Sequence, residues 1–438
     1  MDSYCTLAFN HSVGIKITQR GWRENRRVLM RASDVGHRVL ILGGTGRVGQ
    51  SICRELQRRS RDESVDLEIC IAGESYFGVF GPGLDEPPCL QHSSSSRVSG
   101  RNEQVGEEIV RESPSLQFKK VDYRDKDALV AAMKGVSLVV HSAGPFQQRQ
   151  TAEVLEAAIG AGVNYQDVCD DVDHMEMSRS LHDDAVESNI TAAICTGIYP
   201  GISNLMAAKA IRDLDAAPEQ VTFDYFTAGT GGAGPTILST TFLLCGEDVR
   251  TYVDGKPSIK KPASGVRRVD FGEQVGHKNV FLLNLPEVLS IAEVYKVPNI
   301  SARFGTAPDI WNVLTRFMAC AVPKKILTNQ ALIAKFSEFI GPLVRAVDAI
   351  VGGTTAMRVE AVGSDGSSRS LLYGHEELSE CVGIAAAAFT WHLLMSKNLP
   401  KGVLYPEELL SDPDEFEAVL ESGVRTAFDW KTFTEKSL

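Results

Sequence analysis

Apolar positions along the chain keep two rhythms. His37-Arg-Val-Leu-Ile-Leu42 is a short β-rich run, and after a turn Gln50-Ser-Ile-Cys-Arg-Glu-Leu56 places apolar residues at helical spacing. The same exchange of run and helix recurs. Strands are predicted at Asp66–Gly73, Ser115–Val121, Val136–Val140 and Thr191–Cys195, with helices over Gln104–Val110, Lys126–Gly135, Arg149–Ala161 and Met175–Glu187. Asp125 is the cap of the second of these helices. Continuously apolar strands alternating with helices indicate a parallel sheet covered on both faces. From Gln220 the rhythm changes. Val221–Phe226 alternates as a strand of an antiparallel or mixed sheet does, and Met357–Glu360 with Ser370–Tyr373 reads as a hairpin. Pro235 opens an apolar helix over Thr236–Cys245. Lys324–Gly352 has helical spacing with Lys and Arg interleaved, which favours a core-facing helix over one that touches a membrane surface. Gly383–Met395 falls short of the roughly 20 apolar residues that span a bilayer, and its Trp391 and His392 suit a buried helix. An acidic helix near Asp414–Leu420 ends the chain.

Composition narrows the class. The 438 residues are 43% hydrophobic and 23% charged, which excludes disorder, collagen and a coiled coil as the main state. With 45 basic and 56 acidic residues the net charge is −11, unsuited to nucleic acid. The nine cysteines are scattered without a Cys-x-x-Cys, so neither a disulfide framework nor a zinc site is expected. Up to Gly36 six basic and three acidic residues give +3, leaving −14 for the remainder. Residues 1–36 therefore read as a transit peptide or a disordered extension, with removal near Ala32. The chloroplast is the expected location, the mitochondrion or cytoplasm the alternative.

Between the first strand and first helix stands Gly43-Gly-Thr-Gly-Arg-Val-Gly49, which fits a dinucleotide fingerprint in its proper context. One glycine makes the turn, another admits the pyrophosphate, and the last lets helix pack on strand. Gly43, Gly44, Thr45, Gly46, Arg47, Val48 and Gly49 are the first cofactor-binding candidates. Glu74 follows the second strand directly and would select NAD. Residues 74–100, however, hold three Pro, four Gly and six Ser without periodicity. They read as an insertion, with a retained intron as one possible source. Joining Gly73 to Arg101 restores a strand end followed by arginine, and NADP becomes the expected cofactor. Asp122 and Tyr123 end the third strand on the adenine side. Ser142, Ala143, Gly144, Pro145 and Phe146 end the fourth, at the switch point beside the nicotinamide ribose. His141 reads as a satisfied strand-end histidine. The fold class is α/β, a Rossmann-type doubly wound parallel sheet followed by a second mixed α/β region.

Several of these segments, in order, resemble the saccharopine dehydrogenase-like oxidoreductases. They are Val39–Gly49, Ser142–Phe146, Tyr165-Gln-Asp167, Gly197-Ile-Tyr-Pro-Gly201, Thr230–Ile237, Ala356–Glu360 and Val403–Glu407. The resemblance covers nearly everything from His37 onward. It implies an NAD(P)-binding first domain, a second domain that shapes the substrate site and often the dimer, and a C-terminal piece packing back on the first. The expected boundaries are 37–209, 210–375 and 376–438. A homodimer and a small-molecule or lipid-like substrate follow from it. No transmembrane segment is expected, and peripheral membrane contact stays open.

Hydride transfer asks a protein for orientation and one proton donor. Tyr165, Asp170 and Tyr199 are the catalytic candidates, with Asp167, Asp171 and Asn204 beside them. Asp170 and Asp171 also precede a helix, where acids cap. Residues 228–234, with four glycines, either close over the nicotinamide or simply lead into a helix. Tyr252-x-x-x-Lys256 has the spacing of a short-chain dehydrogenase pair, but Asp254-Gly255 and Pro257 make it a turn. The leading reading is an NADP-dependent oxidoreductase acting on a C=N, C=O or activated C=C bond. The alternative is a non-catalytic NADP(H)-binding sensor or scaffold.

Overall fold

A computed structural model describes residues 36–435, apart from 74–94, 114, 124, 145, 148 and 232–234. The chain divides into Met1–Gly36 and His37–Leu438. The second unit begins with alternating elements: β1 (His37–Leu42), α1 (Arg47–Glu63), β2 (Leu67–Gly73), α2 (Ser95–Glu112), β3 (Leu116–Lys120), α3 (Lys126–Ala132), β4 (Leu138–His141), α4 (Glu153–Ala161), β5 (Asn164–Asp167), α5 (Val172–Arg179), α6 (His182–Glu187), β6 (Thr191–Ala193) and α7 (Ile202–Arg212). Then come β7 (Pro218–Ala228), α8 (Pro235–Leu244), β8 (Val249–Val253), β9 (Lys256–Lys260), β10 (Arg267–Asp270), β11 (His277–Leu282), α9 (Glu287–Tyr295), β12 (Asn299–Ala307), α10 (Asp309–Ala321), α11 (Lys324–Leu327), α12 (Gln330–Val351), β13 (Thr355–Gly363) and β14 (Ser368–His375). The chain closes with α13 (Leu378–Met395), β15 (Gly402–Leu404), α14 (Pro406–Leu409), α15 (Pro413–Gly423) and β16 (Asp429–Glu435).

The first sheet has seven strands in the order β15-β6-β5-β4-β1-β2-β3, all parallel. Its strand order reverses between β1 and β4, as a doubly wound sheet requires. Along β4, Leu138 and Val140 join one apolar layer, and Val139 joins the other. This two-sided burial is why the strands read as unbroken apolar runs. The second sheet runs β10-β11-β12-β7-β13-β14-β16 and is mixed: β12 pairs parallel with β7, and the other pairs along it are antiparallel. The Rossmann-type sheet and the mixed second domain are thus as the sequence implies.

One core joins the sheets. It holds Val39 and Ile71 of the first, Phe223 and Met357 of the second, and Ala386 of α13. Helix α13 has the length and composition of a membrane span, yet 83% of it is buried in the protein. Its Gly383 lies against α1, where an added Cβ would come within 2.3 Å of Ser51 Cβ.

Four placements depart from the sequence reading. Strand β5 is added. Helix α2 starts at Ser95, inside the supposed insertion, so Arg101 sits within a helix and not directly after β2. The stretch 324–352 is two helices, because the Asn329 carboxamide caps α12 by accepting from Leu332 N–H at 3.0 Å. Finally, 376–438 does not serve the first domain alone: β15 extends its sheet, but β16 pairs with β14 in the second.

Candidate active site

The glycine turn lies at the crossover between β1 and β4. Gly43 has φ +81°, and a Cβ there would stand 2.8 Å from Ala143 N, at the end of β4. A Cβ on Gly49 would stand 2.3 Å from Gly43 O, so only glycine lets α1 begin this close to the turn. Gly46 caps α1 without a side-chain bond, and the first turn of the helix carries no acid. The positive end of a 17-residue helix therefore meets the crevice with no acid in its own first turn. Thr45 borders the turn, where its carbonyl accepts from Gln50 Nε2 at 2.9 Å, and Arg47 and Val48 make up the first helical turn. Ser142 faces this loop from β4, with its N–H and its hydroxyl both donating to Leu42 O at 2.9 Å. Ala143 and Gly144 continue the facing wall. These residues form a cradle that a Cβ would fill, and the chemistry of the cradle suits a pyrophosphate.

Asp122 lies exposed at the end of β3. Tyr123 is buried, with the Arg149 guanidinium 4.4 Å above its ring. Arg149 also donates to Ala143 O at 3.1 Å and so ties the β3 and β4 ends together. Phe146 packs inward between His141, at 4.9 Å, and His174, at 5.4 Å. Pro145 and Glu74 lie outside the described residues, as does the Arg101 side chain.

Behind this wall runs a buried hydrogen-bonded line. His141 Nδ1 is 3.1 Å from the Tyr165 hydroxyl, which donates to Asp167 Oδ2 at 3.0 Å. Asp167 Oδ1 accepts from Cys169 N–H at 3.1 Å and Cys195 N–H at 2.7 Å. Burial pushes the Asp167 carboxyl up to about 6, against those donors. Burial and the nearby Arg149 charge hold His141 well below the usual imidazole range. Among the described residues, His141 Nε2 has no hydrogen-bond partner. Tyr165, one of the catalytic candidates, has its hydroxyl engaged in this line.

The other two candidates stand where the domains meet. Asp170 is partly exposed and accepts from Gln147 Nε2 at 3.0 Å. Burial raises its pKa, opposed by that donor. Asp171 is the helix cap instead, accepting from His174 N–H at 2.7 Å. Tyr199 stacks on Tyr225 at 4.8 Å, and its hydroxyl is 3.1 Å from Thr355 Oγ1. The Asp170 charge is near enough to help raise both Tyr199 and Glu247, the latter pushed up to about 7 chiefly by burial. Asn204 does not reach this space. Its amide donates to Ser290 Oγ and Glu407 Oε1 in the buried junction of α7, α9 and α14. Tyr252 and Lys256 sit on β8 and β9 across a turn, as their sequence indicates.

Nothing in the sequence pointed to a small apolar cavity of about 60 Å³ in the second domain. Phe242, Phe281, Phe304, Trp311, Leu314 and Val344 line it. Phe304 also meets Tyr199 edge-on at 6.3 Å, so the cavity adjoins the candidate site. Its walls come from six separate elements, β7, α8, β11, β12, α10 and α12, and no local pattern announces such a space.

Residues 87–193 match the saccharopine dehydrogenase NADP binding domain family. The likeness is to this one domain, within the first half of the chain. The matched span opens after the glycine turn, yet β1 and that turn belong to the same sheet. No curated protein matches the chain in sequence. The chain shares its fold with apo saccharopine dehydrogenase (L-Glu forming) from Saccharomyces cerevisiae at 14% identity and a TM-score of 0.57, over 91% of this chain and all (100%) of that one. A second similar structure is GenD2 from gentamicin A biosynthesis in complex with NAD, at 13% identity and a TM-score of 0.38, over 93% of this chain and 98% of that one. The first domain carries the match to an NADP-binding family, and the fold is shared with the yeast protein.

Proposed function

We propose that this saccharopine dehydrogenase-like chain reduces or oxidises a C=N, C=O or activated C=C bond in a small or lipid-like substrate with NADP(H), in the plastid. The carrying observation is the start of α1 at the β1–β4 crossover, a glycine cradle whose first helical turn carries no acid. Gly43–Gly49 and Ser142–Gly144 would hold the dinucleotide, and Arg101 would accept the 2′-phosphate. The bound nucleotide supplies a hydride. Asp170, whose pKa burial raises, donates a proton to the substrate atom that gains charge. Tyr199, fixed by Thr355 and its stack on Tyr225, positions the substrate, and the cavity behind Phe304 receives its apolar portion.

The test is NADPH oxidation against a panel of imines, carbonyls and enoyl thioesters. Turnover by at least one class is expected. Asp170→Asn lowers kcat roughly 100-fold with NADPH affinity unchanged. Reduction by the native chain declines as pH rises through the raised Asp170 pKa, and the variant lacks that limb. Tight NADPH binding without turnover of any class would overturn the reading.

A further inference from the structure

Exposed apolar side chains concentrate on one part of the surface. Of twelve large exposed hydrophobic residues among the described ones, eight lie between Asp309 and Val351. On α10, Ile310, Val313 and Phe317 follow i, i+3, i+7 spacing. On α12, Phe339, Leu343 and Ile350 continue one stripe, with Phe339 83% and Ile350 85% exposed. The opposite faces of the same helices are inside: Trp311, Leu314 and Val344 line the apolar cavity, and Met318 and Ile333 pack with Phe242. The two helices are thus a thin wall, apolar on both sides, between the cavity and the exterior. A contiguous apolar face of this kind marks an interaction surface.

Charge identifies the occupant. Residues 309–351 hold five basic side chains (Arg316, Lys324, Lys325, Lys335, Arg345) and three acidic ones (Asp309, Glu338, Asp348), a net of +2 in a chain of −11. Asp348 is turned inward, accepting from Thr230 N–H at 3.0 Å and Thr230 Oγ1 at 2.6 Å. An apolar stripe flanked by basic residues is the pattern of a helix lying in an anionic lipid interface. A second copy of the face would set basic residues against basic ones.

We propose that the outer face of α10 and α12 docks on an anionic lipid surface, with the cavity-lining wall held against the bilayer. Apolar residues enter the interface and Lys325, Lys335 and Arg345 face the headgroups. Cofactor binding and turnover are not needed for docking, so its failure is separate from failure of the oxidoreductase reading.

The test is flotation of the full chain with phosphatidylcholine vesicles, with and without phosphatidylglycerol. Native protein is expected to float with the anionic vesicles, to do so less at high salt, and to bind the neutral ones weakly. Phe339→Asp with Ile350→Asp, both outside the candidate site, should cut vesicle binding at least tenfold while NADPH affinity and Tm stay unchanged. Equal flotation of the native chain and this double variant would overturn the proposal. So would absence of vesicle binding together with self-association that the double variant abolishes, which would assign the face to a second copy.

Discussion

Tyr165 shows how far a residue's chemistry depends on what surrounds it. Its sequence setting, between a strand and a run of acids, makes it a candidate proton donor. In the structure its hydroxyl bridges His141 Nδ1 and Asp167 Oδ2 inside the protein. Tyr165→Phe removes both bonds and leaves buried polar partners unsatisfied, which costs about 1–3 kcal/mol. Denaturant unfolding should show that loss, while turnover per folded molecule stays within a factor of about two of native. A large fall in kcat with unchanged stability would return Tyr165 to the reacting atoms. Asp170 and Asp171 are neighbours of the same type, and only their partners separate them. One accepts from a side chain at the cleft; the other caps α5. Residue type and spacing make both candidates, and three-dimensional placement distinguishes them.

At the scale of elements, apolar strands were legible and polar ones were not. β1, β2 and β4 announce themselves because both of their faces are buried. β5 is Asn164-Tyr-Gln-Asp167, whose polar side chains are satisfied by distant groups: Gln166 Nε2 donates to Ala386 O at 2.8 Å, and Thr390 Oγ1 donates to Gln166 Oε1 at 2.7 Å. Those partners are more than 200 positions away, beyond any periodicity. Similarly, α12 has helical spacing, but spacing alone does not say that its second apolar face is left outside. The junction of α7, α9 and α14 carries its own prediction. Burial pushes Glu407 up from 4.5 to about 7, although Asn204 and Ser290 favour its charged form. Its folded-state pKa is above its unfolded one, so the stability it confers is complete below about 4.5 and is lost as pH rises through about 7. Tm should therefore decline between those limits, and Glu407→Gln should flatten that decline. A variant whose Tm follows pH as steeply as the native chain would contradict this.

For the whole molecule, the last stretch of the chain closes across both sheets. α13 and β15 build onto the first sheet, and β16 then crosses back to the second. The core accordingly runs through both sheets, and Asp170, Tyr199 and the apolar cavity lie close together where the two lobes meet. The glycine turn at the β1–β4 crossover was the clearest signal in the sequence, because strand, turn and helix are contiguous there. The cavity was illegible because its walls are assembled across roughly 120 positions. NADP(H) binding at this crossover is what the fold, the site and the proposed chemistry share. A fluorescence titration of the full chain with NADPH and with NADH, repeated on Gly43→Ala and Arg101→Ala, decides whether it occurs. At Gly43 the added methyl meets both a positive φ and the Ala143 backbone. NADPH should bind at least tenfold more tightly than NADH. Gly43→Ala should weaken NADPH binding tenfold or more, and Arg101→Ala should narrow the preference for NADPH. Absence of binding by either nucleotide, or unchanged NADPH affinity in Gly43→Ala, would contradict the account.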